Sequence, residues 1–224
     1  MAVKGETKGR ILDAAELLFA EHGFNETSLR TITSKAGVNL ASVNYHYGDK
    51  KTLIRAVLGR YLEQFVPVLI EELESLLSHD EITMEDVFHC IKRPLVQLDD
   101  FRPYGASNFM SLIGRGYTDV QGHLRWFIVT QYSDVLNLFT NAVCRANPSL
   151  DPETLFWRLH FTLGASVFTM ASSTALRQIA ENDFSRKVTT ADLIDRLVPY
   201  LAAGVAAPIE QSLSLVSDEQ TGTL

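Results

Sequence analysis

Cysteine is scarce. Cys90 and Cys144 are the only two in 224 residues, far apart and outside any CxxC spacing. That excludes a disulfide scaffold and a thiolate metal knuckle, and leaves two buried, unreactive thiols in a reducing compartment as the expectation. Long apolar runs are missing as well: none approaches the ~20 residues of a membrane span. Met1 to Arg10 is polar and charged, without the apolar core of a signal peptide, so a cytoplasmic location is expected. Strand-type alternation and internal repeats are absent, which excludes a sheet fold and a solenoid. His22, His46, His79, His89, His123 and His160 show no metal-ligand spacing, although His89 adjoins Cys90. No acid, base and nucleophile converge, so no enzyme activity, cofactor or metal is expected. Positive charge is also short overall; a net charge of −7 argues at first against a nucleic-acid partner.

The distribution of that charge reverses the argument. Residues 1–60 hold nine Lys/Arg against six Asp/Glu, and residues 61–224 hold eleven against twenty-one. A modestly basic head can meet phosphates while an acidic body keeps the molecule in solution. With 46% hydrophobic and 21% charged residues the chain can bury a real core, as one large domain or two small ones.

The pattern is helical throughout. Ile11, Leu12, Ala15, Leu18 and Phe19 share one face of a helix predicted over Arg10 to His22, stopped by Gly23, with Phe24 folding back onto the core. Ser28 is placed to cap a second helix, Leu29 to Ala36, that turns its Leu29, Ile32 and Ala36 inward. Gly37 then turns the chain, and Asn39 can cap a very short helix, Leu40 to Tyr47. Only Leu40, Val43 and Tyr47 look able to face inward, so this helix must dock on its neighbours to be stable. Its outer face suits a major groove. Asn44 can pair with an adenine edge and Ala41 can touch a thymine methyl, while Tyr45 and His46 suit phosphate oxygens. Asp49 can cap a fourth helix whose first turn carries Lys50 and Lys51. Cations there oppose the helix dipole, a cost that a bound DNA phosphate would offset.

The fourth helix is expected to reach about Leu77 with a kink before Pro67. Thr83 and Asp86 open a fifth, which carries Val87 to Leu98 through Pro94; Asp99 to Gly105 reads as a loop. Further helices are predicted over Ser107 to Arg115 (ended by Gly114 and Gly116), His123 to Ala146, Asp151 to about Asn182, and Thr189 to about Gln211 through Pro199 and Pro208. Ser212 to Leu224 reads as a frayed polar end. The fold class is all-α: about nine helices, with an N-terminal three-helix helix-turn-helix head (1–48), a larger C-terminal helical ligand-binding and dimerisation domain (49–213) and a disordered tail (214–224).

Leu155 to Phe168 is apolar on more than one face, so either it is an internal helix or a second copy covers it. On the second reading Trp157, His160, Phe161 and Phe168, with Leu197, Tyr200 and Leu201 of the last helix, form an isologous dimer interface. A dimer suits the head, since helix-turn-helix readers set two recognition helices ~34 Å apart. The body can host an apolar cavity. Phe109, Leu112, Ile113, Phe127, Val135 and Phe139 are candidates to line it, and Arg115, His123 and Arg125 to meet a carboxylate or phosphate; plain core and solvated charge are the alternatives.

Ile11-Leu12-Asp13-Ala14-Ala15, Phe19, Gly23-Phe24, Thr27-Ser28-Leu29-Arg30, Ile32, Ala36-Gly37-Val38, Tyr45-His46-Tyr47 and Lys50 together resemble the TetR family of repressors. The resemblance implies a homodimeric, ligand-responsive regulator on palindromic operator DNA in a bacterial, nucleoid-associated cytoplasm. It implies that Ser28 and Arg30 begin the first reading helix, that Ala41, Ser42 and Asn44 read bases, and that Tyr45, His46 and Lys50 hold phosphates; Asn39 and Lys51 complete the DNA-contacting set. Position 44 is often aromatic in the family, so Asn44 shifts that position from backbone clamping toward base reading. Val43 to Gly48, Gln121 to Arg125, Leu155 to Met170, Ala175 to Arg177 and Val198 to Gly204 further resemble the PsrA type, a fatty-acid-responsive branch. That implies a long-chain fatty acid or acyl-CoA effector. The alternatives are a repressor of an efflux or detoxification gene that answers to drugs or aromatic compounds, an effector-free architectural protein with a filled core, and an all-α enzyme.

Overall fold

The computed structural model describes residues 2–118 and 122–208, and among them the chain is helical with no strand. The helices are α1 (Ala2–His22), α2 (Leu29–Ala36), α3 (Leu40–Tyr47), α4 (Lys50–Leu77), α5 (Met84–His89), α6 (Lys92–Phe101), α7 (Gly105–Thr118), α8 (His123–Gln131), α9 (Ser133–Ala146), α10 (Pro152–Ala171), α11 (Ser173–Phe184) and α12 (Thr190–Ala206). The expected frayed end and the 214–224 tail lie outside the described residues, as does Gln121.

The head forms where the sequence places it. Ile11, Ala15, Phe19, Ile32 and Val43 are sealed from solvent, and Phe24 folds back to meet Phe19 edge-on with ring centres 5.3 Å apart. Thr27 fixes the α1–α2 corner by donating its hydroxyl to the Gly23 and Leu18 carbonyls. α1 starts at Ala2 rather than Arg10, and the extension is tied down from outside: the Tyr47 hydroxyl donates to the Lys8 carbonyl at 2.9 Å.

The body has more helices than periodicity predicts, because three predicted helices are each broken once. The break at Cys90–Ile91 has a covalent cause. In a continuous helix Pro94 would clash with the Cys90 carbonyl; starting afresh at Lys92 puts its missing N–H where no bond is needed. The breaks at Tyr132 and Ser172 carry neither Pro nor Gly. Asp99 belongs to α6 rather than to a loop and accepts the Ala106 N–H at the start of α7. Gly114 and Gly116 do not end α7. A Cβ on Gly114 would lie 2.5 Å from the Val167 side chain of α10, and one on Gly116 3.2 Å from Leu124, so these glycines serve close helix approach. α12 ends at Ala206, one residue before the extended Ala207 that precedes Pro208, so Pro208 follows the helix instead of lying within it. α4 and α12 run unbroken through Pro67 and Pro199.

α4 belongs to both halves. Its early Leu53, Ile54 and Val57 complete the head core, and its later Leu69 and Leu73 enter the body core. The joint is polar. Glu16 of α1 is 5% exposed and accepts from the Tyr61 hydroxyl at 2.7 Å and the Arg60 guanidinium at 2.8 Å. Arg60 also donates to Asp13 at 2.7 Å, and Arg102, in the α6–α7 turn, donates to the same oxygen at 2.5 Å. Burial raises the Asp13 pKa, but its bonds to Arg60 and Arg102 outweigh that and hold the carboxyl below its usual range. Burial and then the Glu16 carboxylate push the Tyr61 phenol well above its usual range, so it stays a donor. Removing one side of a buried ion pair leaves the other uncompensated. Arg60→Met should therefore lower stability by about 3 kcal/mol, measured by urea unfolding followed by circular dichroism; a loss under ~1 kcal/mol would place the joint at the level of an exposed pair.

Candidate nucleic-acid face and effector cavity

The reading face is built by caps. Ser28 accepts the Thr31 N–H at 3.1 Å and starts α2; Gly37, in the left-handed region at φ 63°, ends it. Asn39 accepts both the Ser42 N–H at 2.9 Å and the Ser42 hydroxyl at 3.0 Å, which starts α3. The Asn39 oxygen is thus committed to the cap, and only its amide NH2 is left for a ligand. Asp49 accepts the Thr52 N–H at 2.7 Å and starts α4; that bond holds its carboxyl below the usual range.

On this frame Arg30, Ala41, Asn44, Tyr45 and Lys51 are exposed, together with Ser28, while Ser42, His46 and Lys50 are half-buried. Tyr45 meets His46 edge-on at 5.1 Å, and the Lys50 ammonium lies 3.5 Å from the Asn25 carbonyl. The predicted contact residues lie on α2, α3, their caps and the first turn of α4, and none of them is buried. One expectation is corrected. Leu40 is not buried: it is 42% exposed, at the first turn of α3, while Val43 and Tyr47 are buried. Leu40 shares the stripe of Val43 and Tyr47 at i, i+3 and i+7 spacing, but as the first residue of α3 it is left partly uncovered.

The body holds an apolar cavity of about 370 Å³ between α4 (Phe65, Leu69), α7 (Phe109, Met110, Ile113, Tyr117), α9 (Val135, Phe139), α10 (His160, Met170) and α12 (Leu197, Leu201). No Lys, Arg, Asp or Glu is on its wall among the described residues. Phe109, Ile113, Val135 and Phe139 line it as predicted, and five other candidates do not. Leu112 is sealed into core, and Phe127 packs edge-on against Tyr132, which is the ring that reaches the cavity. Arg115 turns away and donates to the Ala20 and Glu21 carbonyls at 3.1 and 3.2 Å, a cation at the C-terminal end of α1. His123 opens α8 off the cavity wall, and Arg125 is exposed. Met110 and Tyr117 were missed, although they share the Phe109 and Ile113 face of α7 at i+1 and i+4 spacing.

α10 divides its apolar residues between two sides. Trp157, Phe161 and Phe168 are more than half exposed, as is Tyr200 on α12, and Trp157 stacks on Phe161 with centres 6.1 Å apart. His160, at the edge of that face, and Leu197 and Leu201 border the cavity instead. Leu201 is 4% exposed within the subunit, so it has no surface to offer a second copy. The Cys90 thiol is buried and pushed up to about 11 by burial, which leaves it unreactive.

Residues 11–57 match the family of bacterial regulatory proteins of the tetR type, and residues 89–204 match the tetracyclin repressor-like C-terminal domain family. The HTH-type transcriptional repressor BepR of Brucella suis is 37% identical over 59 residues, 26% of this chain and 28% of that protein. The HTH-type transcriptional dual regulator CecR of Shigella flexneri is 36% identical over 86 residues, 36% of this chain and 38% of that protein. The chain thus spans under half the length of the curated relatives it matches. In overall fold it is similar to a TetR-like transcriptional regulator from Rhodococcus sp. RHA1, with a TM-score of 0.58 at 17% identity over 90% of this chain and 97% of that one. It is also similar in fold to the "Clostridium perfringens putative fatty acid metabolism regulator", with a TM-score of 0.50 at 16% identity over 87% of this chain and 97% of that one. With both domain families matched in order and the second covering more than half of its residues, the chain belongs to the TetR family of transcriptional regulators.

Proposed function

We propose that this regulator is a repressor that binds a palindromic operator as a homodimer and is released by a hydrophobic effector, most simply a long-chain fatty acid or acyl-CoA. The 1–48 head reads DNA, and the 49–213 body binds effector and pairs with its copy. The observation that carries the reading is the apolar cavity, whose wall is shared with the helix that enters the head. Lys50 and Lys51 begin α4 at the reading face, and Phe65 and Leu69 of the same helix line the cavity, roughly 22 Å along its axis. An effector that binds the off state better shifts α4 and with it the spacing of the two heads; a coupling of ~1–3 kcal/mol gives roughly 5–150-fold in operator affinity. Pro67, beside the wall residue Val66, removes one backbone bond where such a shift would bend the helix.

A volume of about 370 Å³ falls in the range of small-molecule sites and suits a folded acyl chain. The rival effector, a drug or aromatic compound at an efflux or detoxification gene, is favoured by the aromatic share of the wall, where six Phe and Tyr rings meet. Native mass spectrometry of the purified protein separates the two: a copurified acyl species supports the fatty-acid reading, and an aromatic adduct supports the rival.

On the reading face, Asn44 and Ala41 meet base edges, with Ser42 and the Asn39 amide beside them; Arg30 and Ser28 enter from α2, and Tyr45, His46, Lys50 and Lys51 hold phosphates. Asn44→Ala should weaken binding to the operator recovered by genomic footprinting by about 10–100-fold while random DNA changes under about twofold. Equal losses on both would remove Asn44 from sequence reading. The exposed Trp157, Phe161, Phe168 and Tyr200 form the dimer contact. Phe161→Glu should convert the dimer to monomer in analytical ultracentrifugation and abolish operator binding with it; a dimer that persists would place the interface elsewhere.

A further inference from the structure

Next to the apolar cavity lies a second, polar pocket of about 330 Å³, and the two share one wall residue, Met170, which is 1% exposed. Three helices begin around this pocket: α7 brings Ser107, α11 brings Ser173 and α12 brings Thr190. Helix starts carry partial positive charge and spare N–H groups. Arg177 lies one turn beyond Ser173 on the same face of α11 and also lines the pocket. Among the described residues it makes no hydrogen bond or ion pair, so a half-buried cation stands in the pocket without its anion.

The carboxylate already present does not fill that role. Asp99 spends one oxygen on the Ala106 N–H at 3.0 Å and the other on the Thr190 hydroxyl at 2.8 Å. The Ser173 hydroxyl points independently to a ligand. Its residue is only 5% exposed, it lines the pocket, and it makes no hydrogen bond among the described residues. Its oxygen is not sealed into the fold, so a hydroxyl that borders the pocket is available to donate to whatever enters it. The turn that closes the pocket is also strained: Tyr104 holds φ at 60°, outside the range bulky residues favour.

We propose that this pocket receives the anionic head group, carboxylate or phosphate, of an effector whose apolar tail occupies the adjoining cavity. Arg177 neutralises the head, Ser173 and Ser107 donate to its oxygens, and the Met170 side chain, flexible and unbranched, yields to let the chain pass between the two spaces. The inference rests on the hydrophobic-effector reading and deepens it. It moves head-group recognition away from Arg115, which is held by α1, and from His123 and Arg125, which are off both walls.

The test is isothermal titration of the full chain with dodecanoate, dodecyl phosphate and dodecanol, which share one tail. The wild-type protein should bind at least one of the two acids about tenfold or more tightly than the alcohol, and the tighter acid assigns the head class. Arg177→Gln should erase that preference while the alcohol changes under about twofold, Arg177→Lys should restore part of it, and Ser173→Ala should weaken the acid several-fold. Circular dichroism melting of each variant verifies the fold. Alcohol and acids binding equally well to the wild type would overturn the head-group site and leave the effector reading standing. So would an Arg177→Gln protein that folds and keeps the preference. Binding of none of the three would overturn the effector reading, and the head-group site with it.

Discussion

Glu16 is a carboxylate almost wholly withdrawn from water, in a helix that otherwise turns apolar residues inward. A charge in that position has to be met from several directions, and here the partners come from different parts of the chain: Arg60 and Tyr61 from the helix that runs into the body, and Arg102 from the turn before α7. Satisfying that one group ties the small head to the large body along α1, as the Arg115 bonds to the Ala20 and Glu21 carbonyls do at its C-terminal end. An apolar joint of the same area would hold as well but would tolerate sliding; charge-assisted bonds with fixed directions do not. The ring of Tyr61 extends the constraint, stacking on Phe109 at 5.8 Å, and Phe109 is a wall of the cavity. One of the groups that tie the head down is thus two side chains from the space where an effector would sit.

Helix punctuation shows which parts of such an arrangement sequence can reveal. The caps at Ser28, Asn39, Asp49, Thr83, Asp151 and Thr189 all form the bonds their residue types allow, because a cap is satisfied within three residues of itself. The starts of α2, α3 and α4 were legible for that reason. The breaks at Tyr132 and Ser172 were not, since no Pro or Gly marks them; Tyr132 leaves the helical path where it turns its ring to the cavity. Gly114 and Gly116 show the opposite failure. A glycine that stops a helix and one that admits a neighbour look identical in sequence, and only the Val167 and Leu124 side chains decide between them.

The body residues divide in the same way. Phe109, Ile113 and Phe139 were legible as cavity candidates from bulk and spacing, whereas the fate of Arg115 depended on the end of α1, distant in sequence. Leu201 and Tyr200 are neighbours on α12 and face different ways, one into the cavity and one to solvent. Periodicity gives the angle between them, but which of the two faces inward depends on the helix packed alongside.

α10 sends Trp157, Phe161 and Phe168 outward and His160, Ser166 and Met170 to the cavity. A partner molecule resting on those outer rings would be separated from whatever fills the cavity by the thickness of one helix, about 10 Å. A change in the width of the cavity would then be a change in the seating of the neighbour. In a symmetric pair the first effector to bind would alter the wall against which the second must fit, so the two halves would not titrate independently.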